Sequence, residues 1–283
     1  MWCNERYSPL DQLFQGSAPG DFSHQFLIEA NQRNLNVDKI RDSLKVMFEF
    51  FDNIKNGKKF VDGNFIEFFR LLFDKPEILE WEKFWLERNK DLDKEIYGLV
   101  KWVNPKLSFG LNVWNRNHFN LIRKIQWPWK EQVKYSDWVK PITYQHQSGE
   151  IFEREINIFG KTILNNLTKS EVTRVFAKIL GVNESSLDNL TQRGLDPDTY
   201  IYTQCKDAVR GVENEVDVYM GIGIDAPRST KEQAKCTPDI AYRSVLATYK
   251  AGGKGIVLSP NYSSMKLSNL DGVAKALKEL NIF

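Results

Sequence analysis

The sequence predicts an α/β protein, and within that class a partial (β/α)8 barrel with helical elaborations rather than an open, doubly wound sheet. Two observations carry this. Four extended runs, Lys106 to Trp114, Asp137 to Tyr144, Glu215 to Asp225 and Lys254 to Ser259, alternate with helical segments, as in a parallel sheet. Each run also has two unlike faces. Val216, Val218, Met220, Ile222 and Ile224 oppose Asp217, Tyr219, Gly221, Gly223 and Asp225, and Phe109, Leu111 and Val113 oppose Ser108, Gly110, Asn112 and Trp114. In the last run, Ile256 and Leu258 oppose Gly255, Val257 and Ser259. A strand buried on both sides of an open sheet is apolar on both faces, whereas a barrel strand turns one face to its helices and a smaller or polar face inward.

The first third is helical. Leu44, Met47, Phe48 and Phe51, then Phe65, Phe68, Phe69 and Leu72, then Leu92, Ile96, Leu99, Val100 and Val103 recur at helical spacing, so each run is expected to face a core. After the first strand a helix is expected to end near Tyr135. Residues 150–212 interrupt the βα rhythm and read as a helical insertion in a single domain spanning 1–283, with Thr168 and Glu171 forming a capping box and a further helix over Pro197 to Val209. Between the third and fourth strands, Thr237 is placed to cap a helix that has Pro238 at its first position and Gly252 and Gly253 at its end. Leu270, Val273, Ala274 and Leu277 make a closing helix.

Composition narrows the function. Basic and acidic residues number 39 and 37 and are interspersed, so no field gathers a polyanion and nucleic acid is not expected as a partner. No apolar run reaches the roughly 18 residues of a membrane span. Cys3, Cys205 and Cys236 lack the spacing of a disulfide framework or a zinc knuckle, which points to a reducing, cytoplasmic compartment. His24, His118 and His146 share no metal-ligand spacing, and no nucleophile elbow or Walker loop occurs, so neither a metal nor a cofactor is expected. The glycines of Ala251 to Gly255 precede the last strand, on the rim away from a barrel's site, and read as a helix stop. With eight Trp and 13 % aromatic residues, most rings fill cores, but those at strand ends could stack on a sugar. Barrel sites lie at the C-terminal ends of the strands, which here carry Asn112, Trp114, Lys140, Tyr144, Asp225 and Ser259.

The stretches WCNERYSPL at 2–10, GLNVW at 110–114, DWVKPITY at 137–144, GIGID at 221–225 and GIVLSPNYSSMKLSNL at 255–270 resemble the C-terminal half or more of a glycoside-hydrolase-like barrel of bacterial glycosidase-like proteins. The resemblance implies that Asn4 and Glu5 end the fourth strand, that Glu5 is the general acid/base, and that the later strands are five to eight. The chain is then expected to begin inside the barrel, with a homo-oligomer or a partner chain supplying the missing strands. Asp225 takes the position of the strand-seven carboxylate, where such enzymes commonly carry Glu. Arg6, Asn112, Trp114, Lys140, Tyr144 and Tyr262 join Asn4 as substrate-binding candidates, and the substrate is a carbohydrate. A carboxylate separation of about 5 Å gives retention and roughly 6.5 to 9.5 Å gives inversion.

Plainer roles stay open. Glu5 could be a solvated charge, Asp225 a cap for the following turn, and Lys140 a structural ion-pair partner. Asn112 and Trp114 could only fill the barrel mouth, and Tyr262 could pack the last loop. Two other functions are also open: a non-catalytic sugar-binding or assembly half-barrel, and a lyase or aldolase using Lys140 as a Schiff-base amine.

Overall fold

The computed structural model describes residues 7–20, 22–227 and 231–282. Its contacts form two compact units, one of residues up to Asp93 with Ile156–Val172, the other of Lys94–Glu155 with Thr173–Phe283. The segment 150–212 is divided between them.

The first unit is helical: α1 (Pro9–Phe14), α2 (His24–Gln32), α3 (Val37–Lys55), α4 (Asn64–Asp74) and the start of α5 (Glu77–Val103). Ser8 caps α1 by accepting from the Asp11 N–H, and Asn36 caps α3 by accepting from Lys39 N–H at 3.0 Å. The core is aromatic. Phe14 lies 4.8 Å from Phe51, 5.3 Å from Phe68 and 4.8 Å from Phe159, and Trp81 packs on Phe22, Phe26 and Phe84. Leu44, Met47, Phe51 and Phe68 are buried as their spacing requires, while Phe65 and Phe69 are exposed.

The second unit holds a four-stranded parallel sheet in the order β1 (Gly110–Val113), β2 (Trp138–Pro141), β3 (Asp217–Gly223), β4 (Gly255–Ser259). Around it run α6 (Arg116–Phe119), α7 (Leu121–Gln126), α8 (Trp129–Gln132), α9 (Gln145–Gly160), α10 (Lys169–Leu180), α11 (Leu190–Arg193), α12 (Pro197–Gly211), α13 (Pro238–Lys250) and α14 (Leu267–Glu279), with α9 and α10 shared between the units. Sequential parallel strands with flanking helices match part of a (β/α)8-like architecture. The strand-four stub expected at residues 2–6 lies outside the described residues.

The faces separate as expected on β3, where Val218, Met220 and Ile222 are buried and Asp217 is exposed. The expected caps also form. Thr237 Oγ1 accepts from Ile240 N–H at 3.3 Å ahead of Pro238, and Glu171 Oε2 accepts from Thr168 N–H at 2.8 Å.

Two expectations need correction. The helix expected to run to Tyr135 is broken into α6, α7, α8 and a short 3-10 turn. Asn120 leaves helical geometry to cap α7, its side chain accepting from Arg123 N–H at 3.0 Å, and Pro128 forces Trp127 out of the α region. The apolar run on the second half of α5 does not face a core: Leu92, Ile96, Leu99 and Val103 are all exposed. That half of the helix instead packs through its polar side. Lys101 Nζ donates to Asp137 Oδ2 at 2.7 Å and Tyr97 to Asp137 Oδ1 at 3.2 Å, while Asp137 Oδ2 also accepts from Phe109 N–H at 2.7 Å. Asp137 thereby fixes the entrances of both β1 and β2. Burial pushes its carboxyl pKa up, but these donors prevail and hold it below the usual value.

Candidate functional site

The pleat puts Asn112 on β1, Lys140 on β2, Gly221 and Gly223 on β3 and Ser259 on β4 on one face of the sheet, toward the C-terminal ends of the strands. Asn112 and Lys140 are register partners, and Gly223 pairs with Ser259. The glycines make this surface hollow. A β carbon at Gly221 would fall 2.9 Å from Lys140 Cε, and one at Gly223 would fall 2.6 Å from His146 Cε1 and 2.9 Å from Tyr144 Cβ. Lys140 therefore lies across β3, and its Nζ reaches Ser259 Oγ on β4 at 3.3 Å.

Tyr144, at the start of α9, joins the same group. Its side chain stands over Gly223, the register partner of Ser259, and its ring stacks parallel to His146, with centroids 6.3 Å apart. Burial raises the Tyr144 pKa, so the phenol stays protonated and able to donate. Burial lowers the Lys140 pKa. Its partner is a hydroxyl, and among the described residues no carboxylate bonds to it.

Asp225 follows β3 by two residues, in the left-handed region at φ +56°. Its Oδ2 accepts from Lys266 N–H and from Asn269 Nδ2–H, each at 2.9 Å, and Lys266 Nζ stands 3.9 Å from Oδ1. The carboxylate thus ties the rim of β3 to the start of α14, which is a capping duty. One oxygen, Oδ1, carries only the distant ammonium. Asn112 is exposed, Trp114 is half-buried one residue beyond β1, and Tyr262 stands in a 3-10 turn with 87 % of its surface exposed. Asn4, Glu5 and Arg6 lie outside the described residues.

The structure therefore brings Lys140 and Tyr144 together around Ser259, and places Asp225 on the same rim with its own tether to α14. Ser259 was visible as a strand-end residue, but its place between Lys140 and Tyr144 was not, and the stacking of His146 on Tyr144 had no sequence signal. Behind this layer, His118 Nδ1 is 2.9 Å from the Tyr200 hydroxyl, and Ser148 Oγ is 3.0 Å from the same hydroxyl. Burial, then the charge of Lys124, lowers the His118 pKa to about 3, so the imidazole is neutral. Burial likewise pushes the Cys205 thiol up to about 12 and the Cys236 thiol up to about 11, which makes both poor nucleophiles. Among the described residues no group of three or more His, Cys, Asp or Glu side chains could hold a metal ion, and no helix is long and apolar enough to cross a membrane.

No protein-family model, no curated protein and no solved structure matches the chain. The sheet and its helices are compatible with an α/β barrel-type enzyme scaffold in general.

Proposed function

We propose that the chain is a carbohydrate-active protein of the barrel type, a glycoside hydrolase using two carboxylates. The observation that supports this best is the polar layer at the C-terminal rim of the sheet. An amine, two hydroxyls and a carboxylate, from Lys140, Ser259, Tyr144 and Asp225, occupy the end of the strands where barrel enzymes bind their ligands. Hydroxyls, amines and carboxylates are the groups that exchange hydrogen bonds with a polyhydroxylated ring, and Trp114 and the exposed Tyr262 offer aromatic faces for its C–H surface.

In this reading Glu5, assigned by the sequence resemblance, gives a proton to the leaving glycosidic oxygen as the bond to the anomeric carbon breaks. Asp225 Oδ1 then attacks that carbon or takes a proton from the water that does.

A panel of aryl glycosides tests this with the wild-type chain, Glu5→Gln and Asp225→Asn. Turnover by the wild type, lost by at least a hundredfold in both variants, is expected. Turnover that survives both substitutions would reject the mechanism. Sugar binding without turnover would reject catalysis in favour of a non-catalytic sugar-binding half-barrel.

A further inference from the structure

Among the described residues, Lys140 is a cation with no counter-ion. It rises from β2 through the hollow over Gly221, with its ammonium against the Ser259 hydroxyl and Tyr144 standing over the adjacent Gly223. Two other cations of the same unit are matched with acids. Arg116 Nε donates to Glu155 at 2.6 Å, and Lys101 to Asp137 at 2.7 Å. A half-buried charge without a partner costs stability, which a lysine tail free to extend into solvent would avoid. Here the tail instead lies across the strand and points at a neighbour that supplies no charge.

The groups around it form a set of donors. The ammonium has three hydrogens and spends one on Ser259, and the Tyr144 phenol keeps its proton. Among the described residues, the only acceptor shown within bonding distance of the ammonium is the Ser259 hydroxyl oxygen.

We infer that the Lys140, Ser259 and Tyr144 cluster receives an oxyanion carried by the substrate, so that the preferred ligand is an acidic sugar, bearing a carboxylate or a sulfate ester, rather than a neutral one. This rests on the carbohydrate reading for the sugar, and on the cluster alone for the charge. Such a ligand completes the missing ion pair in a half-buried setting, where charge-assisted hydrogen bonds are strong. It also leaves Asp225 and its tether to α14 unchanged.

The test measures binding of D-glucuronate, glucose 6-sulfate and D-glucose to the full chain by calorimetry. Tighter binding of one or both acidic sugars than of glucose, by about tenfold or more, is expected; the one that binds identifies the oxyanion. Lys140→Met should erase the preference and Lys140→Arg should keep it. Equal affinity for all three in the wild type would overturn the inference without any variant, as would a preference that persists in Lys140→Met. Borohydride treatment with glucose supplies the opposing arm: a reduced adduct on Lys140, found by peptide mass spectrometry, would show an amine that condenses with the open-chain aldehyde, and would overturn the inference in favour of Schiff-base chemistry. Hydrolysis of neutral aryl glycosides with no acidic preference would remove the inference and leave the hydrolase. Acidic-sugar binding lost in Lys140→Met, with no turnover of any glycoside, would do the reverse.

Discussion

Substitutions at Asp225 separate the capping duty of its carboxylate from any catalytic one. The side chain is largely buried, with 15 % of its surface exposed, and holds Lys266 N–H and Asn269 Nδ2–H at 2.9 Å each. A hydrogen bond to a charged group is worth about 1.5 to 3 kcal/mol, and two donors sharing one partly solvated oxygen are worth toward the lower end of twice that. The backbone adds its own demand, because at φ +56° an alanine costs roughly 1 kcal/mol while asparagine is well tolerated. Asp225→Ala should therefore lose about 4 kcal/mol. Asp225→Gly, which relieves the backbone but not the lost bonds, should lose about 3 kcal/mol. Asp225→Asn keeps an amide oxygen for Lys266 N–H and should lose about 1 kcal/mol. Urea unfolding followed by tryptophan fluorescence reads these as shifts in midpoint at constant slope. An alanine variant within about 0.5 kcal/mol of the wild type, or an asparagine variant as damaged as alanine, would refute the account of the tether. Because Asp225→Asn should remain folded, its turnover then reports on chemistry alone.

Two further outcomes follow, one from a buried histidine and one from the hollow at the rim. His118 has a folded pKa of about 3 against an ordinary value of 6.5, so its contribution to stability is complete above 6.5 and is lost as pH falls toward 3. At pH 5 this amounts to about 2 kcal/mol, and His118→Asn should remove that much of the difference between urea midpoints at pH 7 and pH 5; an unchanged difference would show that the imidazole is not the responsible group. Gly223→Ala should cost about 1 to 3 kcal/mol by overpacking against His146 and Tyr144, and should weaken sugar binding by displacing the Tyr144 side chain; a thermal midpoint and an affinity equal to the wild type would show that the hollow is not needed.

How far the sequence could be read depended on how local each signal was. The caps at Thr168 and Thr237 and the stop at Gly252, whose φ is +93°, are decided within a few residues, and each was legible. The strand faces were legible because a period of two leaves no choice of side once the apolar face is known. The run from Leu92 to Val103 misled because periodicity reports that a face is apolar and not what covers it. There, Tyr97 and Lys101 on the other side of α5 meet Asp137, a residue 36 positions from Lys101, and that contact sets the orientation of the helix. The site was half legible for the same reason. Lys140 and Tyr144 are four residues apart and were read together, but Ser259 enters only through the pairing of β3 with β4, 119 residues beyond Lys140.

The same face of the sheet also explains why ligand chemistry belongs at one rim and not the other. At the N-terminal level, the Trp138 ring occupies the space over Gly110, where a β carbon would fall 2.1 Å from it, and meets the Tyr219 ring edge-on at 5.6 Å, while Tyr219 in turn covers Gly255. The two rings of the central strands thus cover the glycines of the two outer strands, so this part of the face is filled by the chain itself. One layer further along, the glycines recur at 221 and 223, but the side chains over them are Lys140, Tyr144 and His146, and the aliphatic tail of Lys140 fills its gap without neutralising its charge. The lower layer is closed by apolar packing and the upper one is left with an electrostatic deficit. On the inference drawn above, a bound anion would correct that deficit, and the substrate's charge, more than its sugar, would be the property read at this rim.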